Sequence, residues 1–228
     1  MILHPLAQVL MYALILSAVL STKLPGINSQ YSYALYITAG IAAWALFSEL
    51  VNRCLTLFLD NANLLKKVMF PRICLPLIVS GTAVTNSIFL LLSIFMIYFF
   101  LGHQITWQIL WLPVLLLLTM GLGLGLGLVL GVLNVFIRDV GQIVPILLQF
   151  GFWFTPIVYT INIIPEQFRD LLSINPMYHV VLSFQNVLVF QKPPDLMGLS
   201  FVTVFCLLLM LFSLFLFKKA SPEMADEL

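Results

Sequence analysis

The sequence predicts an all-α membrane protein: six transmembrane helices, a short cytoplasmic helix between the second and third, and short re-entrant or interfacial helices before the last. Three observations predict it. Hydrophobic residues make up 62% of the chain and charged residues 8%, where soluble domains carry about a quarter charged. The charges are also clustered, with no Asp, Glu, Lys or Arg in 1–22, 24–48, 73–137, 140–165 or 196–217. Each gap holds a helix of about 20 residues, the length that crosses a bilayer, and the 65-residue gap holds two. Strands of a membrane pore would alternate polar and apolar positions, and these runs do not.

The spans fall at about 5–22, 33–57, 77–100, 109–136, 141–160 and 198–217, all within one domain, 1–228. The first has no basic residue before it and no small-residue cleavage site, so it reads as a span rather than a signal peptide. In the second, Glu49 and Arg53 stand four apart near the inner end and can pair along the helix. Arg53 can alternatively receive an anionic lipid headgroup at a cytoplasmic mouth.

Residues 60–76, DNANLLKKVMFPRICLP, form the longest cytoplasmic connection. Asn61 or Asn63 can cap a helix over about 61–70, with Leu64, Leu65, Val68 and Met69 opposing Lys66 and Lys67. Pro71 disfavours helical geometry at Phe70 and ends it there. Such a helix can rest in the headgroups or dock into a partner's groove.

The fourth span contains MGLGLGLGLVLG, whose glycines give the pairs Gly121/Gly125, Gly123/Gly127 and Gly127/Gly131. Small residues at this spacing admit close helix approach in lipid, within the bundle, at a subunit interface or at a hinge. No Lys-Ser/Thr follows, so this is not a phosphate loop.

Arg138 and Asp139 sit between two apolar runs and mark a water-exposed turn, because charge is costly in the bilayer core. They form either a plain ion pair or a constriction of the cytoplasmic mouth. In the fifth span Phe150, Trp153 and Phe154 share one helical face, and Tyr159 follows. These rings line a lumen or belong to an interfacial belt. Over 161–195, Pro165 and Pro176 bracket an amphipathic stretch, and a second apolar stretch from about Met177 to Phe190 is too short to span. Non-spanning backbone at membrane depth lines a cavity or is buried in protein, so this is a gate, or else an external loop.

Six spans put both termini on one side. Placing that side in the cytoplasm leaves seven basic residues inside (Arg53, Lys66, Lys67, Arg72, Arg138, Lys218, Lys219) and three outside (Lys23, Arg169, Lys192), as the positive-inside tendency requires. Cys54, Cys74 and Cys206 read as small hydrophobes in apolar segments. His4, His103 and His179 are isolated in sequence, and no metal-ligand spacing, nucleophile–base pair or nucleotide loop is present. The expectation is a chain without a catalytic site, metal or cofactor of its own and with no nucleic-acid partner. Energy for transport then comes from elsewhere.

LLKKVMFPRICLP at 64–76, NVFIRDVGQIVPILLQFGFWFTPIVY at 134–159 and IP…LLSINPMYHVV at 164–181 resemble, in order and spacing over most of the chain, the membrane subunit of a type-2 ABC exporter. The branch is that of polysaccharide permeases for O-antigen, capsule or teichoic acid. The resemblance implies a multi-pass permease of the bacterial inner membrane with both termini cytoplasmic. It would act as a homodimer bound to two copies of a separate ABC ATPase, which uses ATP and Mg. It makes 61–70 a coupling helix that contacts the ATPase through Leu64, Leu65, Lys66, Lys67, Phe70 and Pro71. It makes 161–195 a periplasmic gate containing Pro165, Asn175 and Pro176. The cargo would be a lipid-linked glycan, on a carrier such as undecaprenyl diphosphate. A type-2 exporter of another lipid, teichoic acid or a drug shares the scaffold. Family members usually carry an amphipathic helix and a basic stretch before the first span, a feature that the opening Met1-Ile2-Leu3-His4-Pro5 does not match.

Overall fold

The computed structural model describes residues 32–63, 74–103, 106–161 and 164–227, and every regular element among them is helical. In chain order these are α1 (Ser32–Asp60), α2 (Cys74–Phe100), α3 (Leu112–Phe136), α4 (Val140–Phe154), α5 (Glu166–Ser173), α6 (Pro176–Gln185) and α7 (Leu196–Glu227). A 3-10 turn, Trp107–Trp111, leads into α3, and a π-helical turn, Asn186–Phe190, extends α6. Among the described residues four helices are long and apolar enough to cross a membrane: α1, α2, α3 with its leading turn, and α7 through Ser221. These match the expected second, third, fourth and sixth spans. The expected first span lies outside the described residues, as do residues 64–70 of the expected coupling helix.

The fifth span departs from expectation. The apolar run continues to residue 160, but α4 stops at Phe154 after 15 residues, about 22 Å of helix against a hydrocarbon core of about 30 Å. Thr155 is extended (φ −103°, ψ 135°) because it precedes Pro156, whose ring disfavours helical geometry before it. The chain then turns through 155–161 and reaches the non-spanning α5 and α6. At the end of α1 the Asn61 amide donates to Leu57 O at 2.8 Å.

α1 is the central helix, burying 19 of its 29 residues, whereas α4 buries only Val144. α3 is wedged between α1 and α7, and its glycines divide between them. A methyl group at Gly123 would lie 2.9 Å from Leu50 Cβ and one at Gly127 2.7 Å from Cys54 Cβ, while Gly131 abuts the Cys54 carbonyl. Gly121 and Gly125 face Cys206 and Leu209 on α7. Of the roles open to this stripe, packing within the bundle is the one its surroundings support.

One end of the bundle carries 155–195. There Tyr33 donates to Val158 O, Tyr36 to Pro156 O at 3.2 Å, and the buried Gln185 amide to Pro156 O at 2.9 Å. His103 meets Leu188 O at 2.9 Å. The bonds to Pro156 and Val158 satisfy carbonyls that the broken helix leaves free, which is how irregular backbone persists inside a membrane protein. The opposite end carries the Arg138–Asp139 turn.

Candidate functional site

Along α1, Trp44, Ser48 and Asn52 recur every fourth residue, with Glu49 beside them, and so share a helical face. α4 lies antiparallel to this face and presents Gln149, Phe152 and Trp153. Between them is a groove of about 520 Å3, with polar groups on its floor and rings along its wall. Trp44 and Phe152 meet edge to face with centroids 6.0 Å apart, and Phe152 and Trp153 do so at 5.8 Å. Gly151 permits the approach, since a methyl group there would lie 3.0 Å from the Trp44 ring.

Glu49 anchors the floor. Its Oε1 accepts from Arg53 Nε at 2.8 Å and from Asn86 Nδ2 of α2 at 2.7 Å. Both partners use one oxygen, so Oε2 has no protein partner among the described residues. A pair of opposite charges with a third donor is the usual form in which ionisable side chains persist within spans.

The aromatic residues expected on one face of α4 are there and are largely exposed, with Phe150 and Trp153 59% and Phe154 62% exposed. Tyr159 is not on the helix; its hydroxyl folds back and donates to Trp153 O at 2.9 Å. A second chamber of about 450 Å3 joins Trp153, Phe154 and Tyr159 to Ile164, Leu171, Leu172 and Asn175. The structure therefore brings the rings and Asn175 together and leaves Phe150 outside that chamber. Pro165 immediately precedes α5, and Pro176 occupies the first turn of α6 behind the Asn175 cap.

Arg53 pairs with Glu49 as expected. Arg138 and Asp139 are exposed in their turn, and no ion pair joins them. Leu64, Leu65, Lys66, Lys67, Phe70 and Pro71 lie outside the described residues.

Sequence reasoning missed Trp44, Ser48, Asn52, Asn86 and Gln149. The fourfold spacing on α1 was a usable signal; Asn86 had none, because its partner is 37 positions away on another helix. His179 is isolated in sequence but not in space, since it contacts Asp195 at 3.3 Å. No group of three or more His, Cys, Asp or Glu side chains able to hold a metal occurs among the described residues.

Comparison with known proteins agrees with this architecture. Residues 1–189 match the ABC-2 type transporter family. The chain is 29% identical over 207 residues to the O-antigen export system permease protein RfbA of Myxococcus xanthus, covering 89% of this chain and 77% of that one. It is 26% identical over 190 residues to a protein of the same name from Klebsiella pneumoniae, covering 82% and 70% of the two chains. With the match extending over most of its length and its long apolar helices, this chain is a multi-pass membrane permease belonging to the ABC-2 type transporter family.

Proposed function

We propose that this chain is the membrane-spanning subunit of an ATP-driven exporter that moves a lipid-linked, O-antigen-like polysaccharide out of the cytoplasm across the bacterial inner membrane. It works as two copies with two copies of a separate ABC ATPase, which hydrolyses ATP with Mg. Membership of the family and the name shared by its relatives supply the transport class. The observation in the chain itself that carries the glycan reading is the groove between α1 and α4.

Sugars present C–H faces that pack on aromatic rings and hydroxyl edges that need donors and acceptors. Trp44, Phe152 and Trp153 supply rings, while Ser48, Asn52, Gln149 and the open oxygen of Glu49 supply polar contacts. A long polymer cannot be enclosed in one pocket and released by a single rocking motion. It needs repeated weak contacts along a continuous path, and a ring-walled groove leading toward the Trp153–Tyr159 chamber suits that need. Arg53, near the cytoplasmic end of α1, suits the anionic diphosphate of the carrier.

Replacement of Trp153 by Ala is the direct test. Loss of a stacking contact of about 1 kcal/mol predicts a roughly fivefold fall in surface polysaccharide when the variant is the cell's only permease. Membrane abundance and ATPase recovery should stay unchanged. Normal export by a well-expressed W153A variant would remove this ring from the path.

A further inference from the structure

A second polar cluster stands apart from the groove. His179 on α6 places Nε2 2.9 Å from the carbonyl of Ser173, the last residue of α5, and Nδ1 3.3 Å from Oδ2 of Asp195, just ahead of α7. One imidazole thus touches three elements. Asp195 is shared in turn, because its Oδ1 accepts from Gly198 N at 3.2 Å in the first turn of α7. Gly198 makes the arrangement possible: a methyl group there would fall on both His179 Nδ1 and Asp195 Oδ2. The Tyr178 and Phe201 rings flank the imidazole at 5.0 and 5.9 Å, and its side chain is only 14% exposed.

Both ring nitrogens therefore face atoms that only accept: a backbone carbonyl and, when ionised, a carboxylate. A neutral imidazole carries one N–H and satisfies one of them; the imidazolium carries two and satisfies both. We infer that His179 is a positioning residue whose protonated form ties α5 to the head of α7. Leu171 and Leu172, next to Ser173, line the Trp153–Tyr159 chamber, so the tie holds one wall of that chamber in place. The consequence for export rests on the transport reading above; the tie itself does not.

The sign follows from the proton count. Gaining a proton completes the contact, so the tie is tighter in the protonated form and loses one charge-assisted bond when the ring gives up that proton. Among the described side chains the other ionisable groups around it are Asp195, which is its partner, Tyr178 beside it on α6, and Arg169 on α5, whose charge opposes that of Asp195 at Tyr178.

The test is hydrogen–deuterium exchange on the full chain in nanodiscs between about pH 5.5 and about pH 8, corrected for intrinsic exchange rates. Amides of 171–174 and 198–199 should exchange about tenfold faster at the upper limit. His179→Gln should be loose at every pH. Asp195→Asn should be tight at the upper pH, because its amide nitrogen can donate to the neutral ring while its oxygen still accepts from Gly198, and should gain nothing at the lower pH, where a protonated Nδ1 would face that amide donor. A merely structural histidine would not split the two variants in opposite directions. Protection independent of pH in the unaltered chain, or an Asp195→Asn variant as loose as His179→Gln at the upper pH, would overturn the inference. The readout is backbone protection, so its failure leaves the export proposal standing, and failure of export in W153A cells leaves the tie standing.

Discussion

Asn175 uses both ends of its amide: Oδ1 accepts from Met177 N at 3.0 Å and caps α6, while Nδ2 donates to the Thr155 hydroxyl at 3.2 Å, just past the end of α4. It thereby fixes the start of one non-spanning helix against the break in another. Losing an N-cap of this kind costs about 1 kcal/mol, so Asn175→Ala should lower the thermal midpoint of the detergent-solubilised protein. Asn175→Asp keeps the acceptor and loses the donor to Thr155, and should retain most of the stability. An equal drop in the two variants would move the weight from the cap to the Thr155 bond. Asn175 was named in advance only through the family resemblance, although an Asn-Pro pair is a helix-opening signal, and Trp153 through the ring cluster. Trp44 and Asn86 were not, because α1 and α2 meet their partners only after the bundle has formed. The same holds for His179 and Asp195, which stand 16 positions apart across α6 and the turn that follows.

At the scale of elements, charge-free length was an accurate guide wherever the run contained no break. The expected spans 33–57, 77–100 and 109–136 differ by at most three residues at either end from α1, α2 and α3 with its leading turn. α7 starts two residues before the expected 198 and runs past the membrane-length stretch to Glu227. Hydropathy misjudged 141–160 because Thr155-Pro156-Ile157-Val158 is as apolar as helix yet cannot continue one. The glycine stripe of α3 showed close packing in the sequence but not its partners, since Gly123, Gly127 and Gly131 take α1 while Gly121 and Gly125 take α7. That division is testable. Gly127→Leu would drive a side chain into Cys54 and the Leu50 carbonyl, an overpacking cost of about 1–3 kcal/mol, and should reduce the monodisperse peak on size exclusion. Gly81, on the exposed side of α2, has nothing within 4 Å of where a methyl group would sit, and Gly81→Leu should elute as the unaltered chain does. Equal yields from the two variants would contradict tight packing of α3 on α1.

At the scale of the whole molecule, the burial is uneven in a way that bears on assembly. α1 is enclosed on most of its surface, whereas α4 leaves Ile143, Ile146, Leu147, Phe150, Trp153 and Phe154 exposed along its length. An apolar, ring-bearing face beside a polar groove suits a surface completed by a second copy rather than one left wholly to lipid. Under the proposed export function, the work of moving a polymer would come from a partner ATPase, and the 60–76 connection is the segment expected to meet it. In the proposed coupling helix, Leu64, Leu65 and Phe70 are among the apolar residues expected to meet the ATPase. Changing all three to Asp should reduce the ATPase recovered with the purified permease at least about tenfold, since buried apolar anchors dominate such contacts. Membrane insertion of the permease should be unchanged, because the substitutions lie between spans. Undiminished recovery would mean that the ATPase is held elsewhere than on these three residues, with the Arg138–Asp139 turn the next segment to alter.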